Sequence, residues 1–231
     1  MPAVATSHDA WRRRLFLPNY QVQEAARYAR IAPQTVVHWQ KGTAGPLAPR
    51  DRREALSYLQ LIEVAVVAAL RKYGVPLRRI RDARDYFART LKSEHPFAEY
   101  RFKTDGHRLF IDFSEIVGSK RGKGTLLRPD QQGQLAWEAV IGRLKEFDYE
   151  RRGIVIRWHV AGADSTVVID PRISFGEPMV KGVPTWIIKG RWAAGEAPDE
   201  IAGDFGLGQM EVVDALSFEG IDDDQLRKWL H

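Results

Sequence analysis

YQVQEAARYARIAPQTVVHWQKGTAGPLAP, from Tyr20 to Pro49, reads as two short helices, a tight turn between them and a small wing behind. Val22, Ala25 and Ala26 fall on one face of the first helix. Ala29-Arg30-Ile31 is the turn, with small Ala29 where the two helices approach closely. Pro33 suits the first turn of the second helix, where its missing N–H would have had no helical partner. Val36 and Trp39, three apart, share an inward face. Gln34, Thr35, Val37 and His38 then face outward, and a helix showing such side chains can read base edges in a major groove. With Lys41 and Arg50 they make up the candidate DNA contacts. The plain alternative is a helical hairpin with a polar surface.

Outward from this stretch, charge is unevenly spread. The chain has 231 residues and a net charge of +5. Residues 1–93 carry 17 Lys and Arg against 7 Asp and Glu, a net of +10. Residues 94–169 are near neutral at +1, and residues 170–231 carry 6 against 12, a net of −6. The head should attract phosphates and the tail repel them, which points to two different partners. There is no cysteine, so disulfides, zinc ribbons and cysteine nucleophiles are excluded, and a reducing cytoplasm is the expected compartment. No apolar segment of signal-peptide type opens the chain, and the apolar run Leu59–Leu70 is too short to span a bilayer.

Arg12-Arg13-Arg14 is either a phosphate-binding arm or a solvated turn. A long helix is expected from Asp51, capped there with Glu54 three residues on, and stopped by Gly74. Pro76 opens another, with Leu77, Ile80, Ala83, Phe87 and Leu91 as its apolar face. Beyond His95-Pro96 the grain changes. Residues 99–113 read as a hairpin around Asp105-Gly106, residues 119–124 as a basic loop without P-loop spacing, and Pro129 to Phe147 as a helix. Ile154–Val160 and Thr166–Ile169 read as strands. In the last third, Thr185–Ala194 reads as a helix packed through Trp186, Ile187 and Gly190, followed by helices opening at Pro198, Gln209 and the acids Asp222 to Asp224. The expected fold is α+β and mostly helical. It comprises an N-terminal winged helix-turn-helix (1–93), a small central α+β module (94–169) and a C-terminal domain of three to four helices (170–231).

Two stretches carry family resemblances. Leu47-Ala48-Pro49-Arg50 resembles the wing of the MerR-type winged helix-turn-helix proteins, as does the succession of helices behind it. Val36-Val37-His38-Trp39 stands where that family has a hydrophobic-Arg-aromatic-aromatic ending. Asp170-Pro171-Arg172-Ile173, then Gly176-Glu177-Pro178-Met179-Val180-Lys181-Gly182, then Ala194-Gly195-Glu196-Ala197-Pro198-Asp199-Glu200-Ile201-Ala202 resemble a small domain of bacterial antitoxin-like proteins. Together they resemble VapB-type antitoxins. The resemblance implies a homodimer that represses its own operon by binding operator DNA and neutralises a PIN-domain ribonuclease toxin by direct contact. Because such nucleases use carboxylates, it makes Arg172, Lys181, Lys189 and Arg191 the candidate toxin-binding residues. The other reading is a stand-alone MerR-like regulator with a ligand-sensing C-terminal half, where Trp158, Trp186 and Trp192 would line a pocket. An enzyme is not expected, nor a metal or cofactor. His8, His38, His95, His107, His159 and His231 are dispersed without metal spacing, and no nucleophile elbow or phosphate loop occurs.

Overall fold

The computed structural model describes residues 7–41, 45–47, 54–72, 74–98, 142–143, 145–150 and 153–227. Arg50, the wing tip, the hairpin expected over 99–113, the basic loop 119–124 and most of the helix expected from Pro129 lie outside them. The described chain is mixed α and β, mostly helical, and divides into two units. One comprises 1–145 with 149–155, the other 146–148 with 156–231.

In the first unit, α1 (Ser7–Arg14) ends on the three arginines, and Arg12 is tied to Glu150 by two bonds of 2.8 and 3.0 Å. α2 (Val22–Ala29) and α3 (Pro33–Trp39) follow, with Ala25, Ala26, Val36 and Trp39 buried as their spacing predicts. After α3 the chain folds back on it, and the Leu47 amide reaches the Trp39 carbonyl at 3.4 Å. Gly45 makes this return possible, because a Cβ there would stand 1.9 Å from the Trp39 carbonyl oxygen. Gly45→Ala is expected to destabilise the unit by about 1–3 kcal/mol through this backbone clash. Thermal unfolding of the variant checks it.

α4 (Tyr58–Lys72) begins seven residues later than Asp51 would place it. Ser57 and Gln60 start it by a reciprocal cap: the Ser57 amide donates to Gln60 Oε1 at 2.8 Å, and the Gln60 amide to Ser57 Oγ at 3.3 Å. The cap wins because Leu56 is held elsewhere, exchanging backbone hydrogen bonds with Tyr20. Apart from Gln60, every residue of α4 from Tyr58 to Leu70 is buried, so the helix is enclosed on nearly all sides. Glu63 lies in this apolar cylinder only 1% exposed, held by Arg84 Nε at 3.3 Å with His95 Nδ1 at 3.1 Å. α5 (Leu77–Leu91) turns Ile80, Ala83 and Phe87 into the same unit, and Phe87 meets Phe97 edge-on. Ile80, Ala83 and Phe87 of that stripe are thus covered within their own chain.

The second unit is built on an antiparallel sheet in the order β1 (Phe147–Tyr149), β2 (Val155–His159), β3 (Val168–Ile169), β4 (Pro178–Val180), β5 (Val183–Pro184). Trp158 pairs with Ile169, Val168 with Met179, and Val180 with Val183. Phe147, expected to end a helix, lies in a strand, where its ring meets the buried Trp158 edge-on. Lys181 and Gly182 form the two-residue β4–β5 turn with φ of 47° and 90°, the left-handed pair such hairpins demand. α6 (Thr185–Ala193), α7 (Pro198–Phe205), α8 (Gln209–Phe218) and the short α9 (Asp223–Arg227) follow. Thr166 Oγ1 donates to Asp214 Oδ2 at 2.8 Å, tying α8 to the approach to β3. α6 packs through Thr185 and Ile188, not through Trp186 and Gly190, which are exposed.

Candidate functional site

The α2–α3 pair closes on a left-handed residue. Arg30 has φ 56° and ψ 47°, and its amide bonds back to Ala26 and Arg27 while that of Ile31 reaches the Ala26 carbonyl at 2.9 Å. This is the glycine-favouring end of a helix occupied by an arginine. With Val36 and Trp39 turned inward, Gln34 and His38 are exposed, and Thr35 and Val37 half-buried.

Gln34, Thr35 and His38 line a groove of about 730 Å³ together with Arg30, Arg71, Lys72 and Arg143. Among the described residues no carboxylate lines it. Arg71 and Lys72 stand on the last turn of α4, where a cation offsets the helix dipole, and Arg71 Nη1 donates to the Val75 carbonyl at 2.7 Å. Hydrogen-bonding side chains of one short helix thus share a concave surface with four permanent cations, the composition that phosphate and base edges require. Of the residues expected from sequence, Val37 is not among the groove's lining, Lys41 is exposed just beyond α3, and Arg50 is not described. Sequence reasoning missed Arg30, Arg71, Lys72 and Arg143, the last three of which the fold brings to α3 from elsewhere in the chain.

Arg30→Gly separates backbone from charge. Glycine relieves a left-handed strain of about 1 kcal/mol, partly offset by its greater freedom when unfolded. The expected result is an unfolding midpoint unchanged or raised by a few degrees, with weaker nucleic-acid binding. Thermal melting and fluorescence anisotropy on the same variant measure both.

The second unit repeats the motif with different chemistry. α2 and α7 are both eight residues long and both carry a glutamate accepting the cap amide: Gln21 N to Glu24 at 2.7 Å, Ala197 N to Glu200 at 3.1 Å. Gly206, with φ 64°, takes the place of Arg30, and the Leu207 amide reaches the Ala202 carbonyl at 2.8 Å as that of Ile31 reaches Ala26. Here the following helix opens with Gln209, Met210 and Glu211, and on α7 Asp204 stands beside the turn while Asp199 and Glu200 lie in the first turn. The turn geometry of the α2–α3 pair thus recurs with acidic side chains about it, a charge that opposes a phosphate backbone.

The four cations expected to meet a toxin are engaged within this unit. Arg172 forks onto Asp170, with Nε at 2.8 Å and Nη2 at 2.5 Å, and Arg157 Nε approaches the same carboxylate at 3.5 Å. Lys181 bridges to Glu211 at 2.8 Å. This bond, with the Gly208 amide, holds the Glu211 carboxyl below the usual carboxylate range, so the pair's contribution is present above that range and fades as pH falls through it. Lys189 donates to the Glu219 carbonyl at 2.9 Å. Arg191 contacts Glu196 and Asp204 and lies over the Phe205 ring.

Large apolar side chains of the unit stand in solvent. Phe175 is 76% exposed, Trp186 58% and Ile173 43%. Ser174 and Phe175 both take left-handed backbones, φ 46° and 53°, ahead of Gly176 at 77°. Two consecutive non-glycine residues in that region cost roughly 1–2 kcal/mol each. The signal that could have found this surface is α6's own period, since an inward Ile188 leaves Trp186 outward.

Residues 167–218 match a family model described as a protein of unknown function, DUF433. Over an alignment of 228 residues the chain is 26% identical to a Mycobacterium tuberculosis protein named "Putative antitoxin VapB45", covering 88% of this chain and 94% of that one. A solved structure titled "X-ray crystal structure of Rv2018 from Mycobacterium tuberculosis" matches with a TM-score of 0.70 and 24% identity, over 88% of this chain and 99% of the other. That structure supports the fold. The sequence match makes the chain similar, over most of its length, to a protein of antitoxin type. Among the described residues no helix is long and apolar enough to cross a membrane.

Proposed function

We propose that this protein is a non-enzymatic antitoxin that binds operator DNA through its first unit and a ribonuclease toxin of the PIN class through its second. The observation that carries the DNA half is the groove in which Gln34, Thr35 and His38 face Arg30, Arg71, Lys72 and Arg143 with no carboxylate among its described lining residues. The toxin half is supported by the similarity to a protein named as an antitoxin and by an acidic second helix-turn-helix unsuited to phosphate. Binding as a homodimer to a two-fold operator belongs to this reading. The engagement of Arg172, Lys181, Lys189 and Arg191 by groups of their own unit favours inhibition by covering the nuclease over insertion of a free cation among its carboxylates.

Co-expression with the native flanking genes, followed by mass spectrometry of whatever elutes with the protein, tests the toxin half. A small nuclease in near-equal amount supports it. Elution alone favours a stand-alone regulator. DNA from the native promoter, titrated between low and physiological salt, tests the other half, since a phosphate-led mode loses affinity steeply.

A further inference from the structure

We propose that Phe175, Ile173 and Trp186 form the anchor by which the second unit seats on the phosphate-binding face of its ribonuclease toxin. The inference deepens the antitoxin reading and rests on it. Phe175 projects from two successive left-handed residues, so the backbone holds a large aromatic side chain in solvent where an ordinary turn would not. Glu177 links that loop to α6, its Oε2 accepting the Trp186 indole N–H at 3.0 Å. Loop and helix thus present one surface, and exposed aromatic side chains of this kind are those that dominate protein interfaces once desolvated.

Charge selects the occupant. Residues 170–231 carry a net of −6, and Arg172, Lys181, Lys189 and Arg191 each face carboxylates or a carbonyl of their own unit. The second unit is therefore acidic overall, and Glu177 lies within its aromatic surface. A partner must be basic there. The face with which a ribonuclease holds RNA is basic because it binds phosphates. Seating an acidic, aromatic surface on that face would exclude RNA without placing any side chain among the catalytic carboxylates.

The test uses the full-length protein and the nuclease co-expressed from its flanking gene, comparing the native chain with Phe175→Gly and Trp186→Ala. Glycine accepts the left-handed backbone, so Phe175→Gly should melt no lower than the native protein. Its affinity for the nuclease should fall at least tenfold, inhibition of RNA cleavage should fall in parallel, and promoter binding should be unchanged. Native affinity should weaken as salt rises. Folded variants that bind the nuclease within twofold of the native chain overturn the proposal while leaving the antitoxin reading intact. So does a variant that loses only self-association in sedimentation, which assigns the surface to a second copy. A native chain that retains no nuclease overturns the reading and the proposal together.

Discussion

Replacing Arg172 with alanine is expected to destabilise the second unit by about 3 kcal/mol, the cost of leaving a buried carboxylate without its main partner. Asp170 is 0% exposed, and its carboxylate accepts the Arg172 amide at 2.9 Å as well as the guanidinium fork. Without the fork, the backbone amide of residue 172 and, among the described side chains, Arg157 at 3.5 Å would remain to face the charge. Asp170→Ala should cost somewhat less, about 2–3 kcal/mol, because the two arginines it releases are each about a third exposed and can turn to water. Denaturant unfolding of both variants, followed by the fluorescence of the buried Trp158, checks the magnitude and the order. Equal, negligible effects would show that the Asp170-Pro171-Arg172-Ile173 motif is not a structural clamp. A toxin-binding defect in Arg172→Ala is informative only when set beside this loss of stability.

The joint substitution of Arg30, Arg71 and Lys72 by alanine should lower affinity for duplex DNA about 10²–10³-fold near 0.1 M salt, with a log–log salt slope shallower by about 2.7 if each cation meets one phosphate. Gln34→Ala should instead leave the slope unchanged and alter the preference among operator variants, because an amide reads base edges and adds no charge. Fluorescence anisotropy across a salt series separates the two. A triple variant with an unaltered slope would remove the groove as the phosphate path, whatever becomes of affinity.

These expectations draw on different levels of the molecule. The α2–α3 hairpin was legible in Ala25, Ala26, Pro33, Val36 and Trp39, since spacing on a short helix sets which side chains share a face. The opening of α7 at Pro198 and the capping of α9 by Asp222, which accepts the Asp224 amide at 2.9 Å, were legible for the same local reason. The start of α4 was not. Both Asp51 and Ser57 can cap a helix, and the exchange of hydrogen bonds between Tyr20 and Leu56, far apart in sequence, decides for Ser57.

The candidate site divides in the same way. The sequence alone determined that α3 turns Gln34 and His38 outward, that positive charge is concentrated in the first 93 residues and that the last third is acidic, because these follow from composition and helical period. Only the tertiary structure decided that Arg30, Arg71, Lys72 and Arg143 converge on α3, and that Arg172, Lys181, Lys189 and Arg191 face their own unit. It likewise placed Ile188 inside and Trp186 outside. A cation's partner, and the side of a helix that meets a core, depend on residues distant in the chain, which the local pattern does not contain.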